Sequence, residues 1–231
     1  MKIKTFSIDG VELSGREDQT ILEVAREHGI KIPTLCHLEG LTPIGSCRIC
    51  IVEIDGKRFA PSCITKVEDG MKIVTNNSEI QEYRKTILEM IFAERNHICS
   101  ICIANGNCEL QNLTIELGMD HFEIKNQYPK CEVDLSHDKY GIDHNRCVLC
   151  ARCVRVCAEI EGAHTKDISG RGHKARVITD FAKGWGEAET CTGCGKCVQV
   201  CPTGALFEKG KPVGAKKKRD FLNYLKIMRG Q

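Results

Sequence analysis

The residues of this chain best suited to chemistry are its cysteines, sixteen in 231 residues. Residues 147–157 read CVLCARCVRVC and residues 191–202 read CTGCGKCVQVCP, two copies of C-x2-C-x2-C-x3-C. A thiolate is a soft ligand, and three thiolates spaced two residues apart can hold successive corners of one iron–sulfur cubane from a single loop. Zinc is the alternative. It favours two separated C-x2-C pairs that close a tetrahedron, and a triplet followed by a fourth cysteine, twice over, does not divide into such pairs.

Two further sets precede this repeat. Cys36, Cys47, Cys50 and Cys63 follow the spacing C-x10-C-x2-C-x12-C, which suits a small cluster or a four-thiolate zinc loop. Cys99, Cys102 and Cys108 form C-x2-C-x5-C, one ligand short of a cubane set. His97 is the nearest candidate for the fourth ligand, and a neutral imidazole is competent in that role; His121 and Cys131 are the alternatives. Imidazole in place of thiolate removes negative charge and raises the potential of such a cluster. Otherwise Cys131, in YPKCEVDL, is a leftover buried or free thiol.

The elements that must position these ligands are short. Asp9-Gly10 and Asp55-Gly56 mark two hairpins, with another strand candidate at Met71–Val74. A capping box at Thr20–Glu23 opens a helix that Gly29 ends, and a second, Ser78–Gln81, opens an amphipathic helix running to about Glu94. Short helices are expected at Val154–Glu159 and Val198–Cys201, stopped by Pro202, with a strand at 176–178 in the long insert between Glu159 and Thr190. That insert faces a partner or caps a cluster. Trp185, the only tryptophan, serves local packing or anchors an interface. A basic tail, 211–231, carries Phe221, Leu222, Leu225 and Met228 on one face of a short helix suited to docking.

Composition narrows the function. A formal net charge of +2 argues against nucleic acid. Aromatic residues are only 5%, so small cores would need metal cross-links. The N-terminal MKIKTFSIDG lacks an apolar signal core, and no apolar run is long enough to span a bilayer, so a cytoplasmic protein with no membrane span is expected. SGRG (169–172) and Gly184-Trp185-Gly186 do not complete a dinucleotide fingerprint, and no phosphate-binding loop occurs. No catalytic residue and no nucleotide-binding residue is expected.

The repeat at 147–201 is similar to two-cluster bacterial ferredoxins, in which the fourth cysteine of each run serves the other cluster. By that pattern Cys147, Cys150, Cys153 and Cys201 hold one [4Fe–4S] cluster, and Cys157, Cys191, Cys194 and Cys197 the other. Ala158 stands where many ferredoxins have proline. With SCRIC at 46–50 and Cys-Glu-Leu-Gln at 108–111, nearly the whole chain resembles the small diaphorase iron–sulfur subunits of bidirectional NAD(P)-reducing nickel–iron hydrogenases. These are relatives of the N-terminal part of the complex I large iron–sulfur subunit. The resemblance implies an α+β chain: a β-grasp [2Fe–2S] domain (1–78), a helical [4Fe–4S] domain with one histidine and three cysteine ligands (79–135), a two-cluster ferredoxin domain (136–210) and the tail. It implies one [2Fe–2S] cluster on Cys36, Cys47, Cys50 and Cys63, and three [4Fe–4S] clusters, with His97, Cys99, Cys102 and Cys108 holding the first. Many relatives have three residues between that histidine and the first cysteine; here only Ile98 intervenes. The implied role is a non-catalytic electron relay between a flavin- and NAD(P)-binding diaphorase subunit and a hydrogenase small subunit. The same role in an electron-bifurcating hydrogenase or an NAD-linked formate dehydrogenase is the alternative. An iron–sulfur subunit of succinate dehydrogenase and a zinc-binding interaction module fit the cysteines less well.

Overall fold

The computed structural model describes residues 2–211; the helix expected in the basic tail lies outside them. Strands β1 (Ile3–Ile8) and β2 (Val11–Arg16) form the first hairpin, and β3 (Ile51–Ile54) and β4 (Arg58–Pro61) the second. Both turns are Asp-Gly with both residues in the left-handed region, at φ 51 and 81 for Asp9-Gly10 and 56 and 64 for Asp55-Gly56, as the tight twist of a two-residue hairpin demands. β5 (Lys72–Val74) lies parallel to β1 and antiparallel to β3, which completes a five-stranded sheet in the order β2-β1-β5-β3-β4. Across it packs α1 (Ile21–Glu27), whose capping box is formed between Thr20 and Glu23. Ile21, Leu22, Val24 and Ala25 of α1 meet Phe6, Ile8, Val52, Ile54 and Ile73 of the sheet in one buried core. A helix held in the curve of a mixed sheet is the β-grasp arrangement.

The helix α2 (Ser78–Glu94) begins one residue earlier than a Ser78 cap would place it: Asn77 is the cap, and its side chain accepts from Ile80 N–H at 2.8 Å. Its buried Arg84 donates to the carbonyls of Ile49, Ile51 and Thr75 at 2.8–3.0 Å, which ties the helix to the loop that carries Cys47 and Cys50. A helix not anticipated from sequence, α3 (Glu109–Glu116), starts directly after Cys108. Its Leu110 and Leu113 pack with Leu88 of α2 and with Leu35 and Ile49.

The C-terminal part has a three-stranded sheet in the order β10-β7-β6, from β6 (Val133–Asp134), β7 (Tyr140–Asp143) and β10 (Leu206–Glu208). The helices α4 (Arg152–Arg155) and α5 (Lys196–Gln199) start two residues before the expected positions. Each is entered from a left-handed residue, Ala151 at φ 55 and Gly195 at φ 72, so the third cysteine of each triplet already lies in the helix. After α4 the chain widens into a π-turn, Val156–Glu161, ended by left-handed Gly162; with alanine rather than proline at 158 nothing interrupts it. The insert folds as a hairpin of β8 (Lys166–Ser169) and β9 (Arg176–Thr179). Among the described residues no helix is long and apolar enough to cross a membrane.

Candidate metal centres

None of the sixteen cysteines, all among the described residues, is in a disulfide, and the structure gathers fifteen of them, with His97, into four groups. In the β-grasp loop the Cys36 N–H donates to Cys47 Sγ at 3.3 Å and the Cys47 N–H to Cys36 Sγ at 3.5 Å. The side-chain hydrogen bond between these two thiols draws Cys36 down to about 5 and pushes Cys47 up, and the contact of Cys50 with Cys63 draws Cys50 down to about 7 and pushes Cys63 up. Thiols this close, offered backbone N–H groups, form a preassembled thiolate site.

The remaining groups each line a separate cavity. His97, Cys99, Cys102 and Cys108 line the first, Cys147, Cys150, Cys153 and Cys201 the second, and Cys157, Cys191, Cys194 and Cys197 the third. Each encloses ≈ 350 Å³ of non-atom space, part of it open to solvent. The second and third groups contain the crossed fourth cysteines. Among the described residues no three His, Cys, Asp or Glu side chains form a group able to hold a single metal ion; the thiols surround spaces instead.

Two buried atoms show that these spaces suit a polar, electron-rich occupant. His97 Nε2 is buried without a hydrogen-bond partner among the described residues, in a ring set edge-on to Phe92 with centroids 5.3 Å apart. Burial, then the charge of Arg146, holds His97 down at about 4, so the imidazole is neutral and able to ligate. His121 is exposed and paired with Asp120 at 2.6 Å, and Cys131 lines a different cavity with Arg95 and His144; neither reaches this space. A Cβ added at Gly204 would stand 2.9 Å from Cys102 Sγ, so only glycine leaves this wall clear. In the third cavity the orphan is Lys166 Nζ. Burial pushes the thiols of Cys147, Cys150 and Cys197 up to about 11, 12 and 12. Loading these sites with metal must therefore expel protons. Soft donors gathered around a void, beside the buried His97 Nε2 and Lys166 Nζ, fit iron–sulfur clusters.

Residues 4–78 match the 2Fe-2S iron–sulfur cluster binding domain, 84–123 the NADH-ubiquinone oxidoreductase-G iron–sulfur binding region, and 140–207 the ferredoxin-like domain of NADH-quinone oxidoreductase subunit 3. Over 217 residues the chain is 33% identical to the NAD-reducing hydrogenase HoxS subunit gamma of Cupriavidus necator, and the match covers 92% of each protein. The chain belongs to the gamma-subunit family of NAD-reducing hydrogenases. A chain in the crystal structure of an NAD+-reducing nickel–iron hydrogenase in its hydrogen-reduced state has the same fold, with a TM-score of 0.84 and 33% identity over 93% of this chain and 98% of that one. Other relatives are much longer. The NADP-reducing hydrogenase subunit HndD of Solidesulfovibrio fructosivorans is 36% identical over 220 residues, which are 90% of this chain but 36% of that protein. The chain thus spans about a third of that relative's length.

What cysteine spacing did not reveal in this gamma-subunit relative is how the sites are joined. Arg152, 2% exposed, donates to both carboxylate oxygens of Glu109 at 2.8–2.9 Å and to the His37 carbonyl at 2.9 Å. Arg155, 7% exposed, donates to the carbonyls of Thr42, Cys36 and Cys150 at 2.7, 2.6 and 3.1 Å. Two arginines of one short helix therefore touch Cys36, Cys150 and the neighbours of Cys36 and Cys108. Their sequence signal is arginine inside a cysteine motif, where a solvated position would be assumed. Trp185 packs locally, buried beside Tyr140, and its Nε1–H donates to Cys191 Sγ at 3.3 Å. The insert thus caps the third cavity with Thr165, Lys166 and Trp185.

Proposed function

We propose that the chain is the electron-relay subunit of an NAD(P)-linked hydrogenase complex. It would carry one [2Fe–2S] cluster on Cys36, Cys47, Cys50 and Cys63. Three [4Fe–4S] clusters would sit on His97/Cys99/Cys102/Cys108, on Cys147/Cys150/Cys153/Cys201 and on Cys157/Cys191/Cys194/Cys197. The observation that carries this reading is the segregation of ligands: three cavities of like size, each lined by one of the sets.

Such clusters supply one-electron transfer at potentials set by ligand type, hydrogen bonding and burial. The chain's contribution is to hold these sites at fixed separation in a low-dielectric interior. The guanidinium of Arg155 locks the Cys36 loop to the Cys150 loop, and Arg152 with Glu109 locks the helix after Cys108 to the same place. Each metal-binding unit is thereby fixed on one shared body, with domains at 1–78, 79–135 and 136–210 in sequence. The sequence shows no nucleotide fingerprint, so a flavin- and NAD(P)-binding diaphorase subunit and a hydrogenase small subunit would supply the terminal chemistry, and this chain would be non-catalytic.

Anaerobic purification and metal analysis test the relay. About fourteen iron and fourteen acid-labile sulfide per chain are expected, with a brown colour. Stoichiometric zinc without sulfide would overturn the reading. Co-purification from the native source identifies the partners; a formate dehydrogenase subunit in place of a hydrogenase would overturn that part alone.

A further inference from the structure

Lys166 is a buried cation with no ion-pair partner among the described residues. It is 3% exposed, its Nζ has no hydrogen-bond partner, and it enters no ion pair among the described residues. It is the first residue of β8, paired with Thr179 of β9, so the insert's hairpin fixes where its side chain enters. Its ammonium sits 3.5 Å from the centroid of the Trp185 ring, and that indole donates to Cys191 Sγ. Lys166 lines the same cavity as Cys157, Cys191, Cys194 and Cys197.

An isolated buried ammonium is costly, and a ring face offsets only part of that cost. The other charged groups facing this space make no ion pair with it. Glu161 and Lys196, which also line the cavity, pair with each other. Asp134, on β6, is within electrostatic reach of Lys166, but its carboxylate is turned to Ser136 and the Trp185 backbone N–H, from which it accepts, and makes no contact with the ammonium. What would balance the ammonium is an anion inside the cavity, and a tetrathiolate iron–sulfur cluster is anionic in both oxidation states.

We propose that Lys166 sets the reduction potential of the cluster held by Cys157, Cys191, Cys194 and Cys197, by placing a desolvated positive charge against it from the insert. This rests on the cluster assignment above. The reduced form carries one more negative charge, so a fixed cation in a low-dielectric site favours it and raises the potential. The Trp185 ring holds the ammonium in place, and the indole N–H acts on the same cluster in the same direction. The long insert would then tune the cluster as well as covering it.

Lys166→Met tests this in the intact chain, since it keeps the aliphatic stem and removes the charge. EPR-monitored redox titration should show the midpoint of this cluster moved to more negative potential. The [2Fe–2S] midpoint should stay in place, and the signal of interest is identified as the one altered by Cys194→Ser. The metal-free Lys166→Met chain should be at least as stable to denaturant as the parent, because an unpaired buried charge is gone. A merely structural lysine predicts the reverse: lower stability and an unmoved midpoint. That result, or an equal shift of every cluster, overturns the proposal. If Lys166→Met does not retain the cluster, Lys166→Arg decides: a loaded cluster at the parent potential supports the proposal, and a lowered potential with charge retained overturns it. Absence of any [4Fe–4S] signal from the parent chain would overturn the cluster assignment instead.

Discussion

The Nη2 of Arg155 donates to the backbone carbonyl of Cys36 at 2.6 Å and to that of Cys150 at 3.1 Å. One nitrogen therefore joins a candidate ligand of the β-grasp loop to a candidate ligand of the ferredoxin-like part, more than a hundred residues apart in sequence. Replacing Arg155 by glutamine should leave buried carbonyls unpaired and cost about 3 kcal/mol. The measurement is the denaturant midpoint for loss of [2Fe–2S] absorbance, which should fall. An unchanged midpoint would mean that the contact does not hold the two parts together.

Glu109 and Arg152 should behave as a coupled pair. Arg152 is 3% and Glu109 31% exposed in their side chains, and they meet at 2.8 Å. Glu109→Ala strands a buried guanidinium and should destabilise by about 3 kcal/mol. The double variant Glu109→Ala/Arg152→Met should recover part of that loss, because no uncompensated charge remains. Additive losses in the double-mutant cycle would contradict the coupling.

In the proposed set of clusters His97 sets one site apart from the others. His97→Ala should alter one [4Fe–4S] EPR signal and leave the [2Fe–2S] signal intact. His97→Cys should keep the cluster but lower its potential, since thiolate adds the negative charge that imidazole lacks. Spectra unchanged by either substitution would exclude His97 as a ligand.

Metal removal should make stability pH-dependent at the alkaline end. Burial raises Cys147, Cys150 and Cys197 from an ordinary value of 9.0 to about 11, 12 and 12. These thiols stay neutral in the folded metal-free chain after they would ionise in the unfolded one. Their contribution is complete below pH 9 and is lost as pH rises through 11 to 12. The denaturant midpoint of the metal-free chain should therefore fall above about pH 9. The iron-loaded chain, whose ligands have already given up their protons, should not follow that curve.

Much of the local structure was legible because its causes are local. Asp9-Gly10 and Asp55-Gly56 form their turns because few other residue pairs accept two consecutive left-handed conformations. Thr20 and Glu23 satisfy each other's backbone N–H groups within one turn of helix. Errors came where two local solutions compete. Asn77 and Ser78 are both capping residues, and Asn77 reaches Ile80 N–H. The helices at 152 and 196 begin early because the left-handed residues before them turn the chain before the third cysteine. α3 went unread because its apolar positions, Leu110 and Leu113, form too short a pattern to stand out from the cysteine motif.

The sequence alone determined which soft side chains are available, their grouping by loop and the repeat whose fourth cysteines can cross, since a chelating loop is specified by spacing over a few residues. It left His97, His121 and Cys131 as rivals, and it was silent on Arg152, Arg155 and Lys166. Only the tertiary structure brought His97 Nε2 to the cavity of Cys99, Cys102 and Cys108 and put a carboxylate on Arg152 but none on Lys166. Those outcomes depend on burial and on partners far away in the chain, and a buried charge is defined by what surrounds it. The cysteine repeat that stands out in the sequence thus says which side chains can gather around each space. The buried cations beside them, invisible in the spacing, take their partners only from the folded chain, Arg152 and Arg155 by joining the cysteine loops and Lys166 by lying on the Trp185 ring.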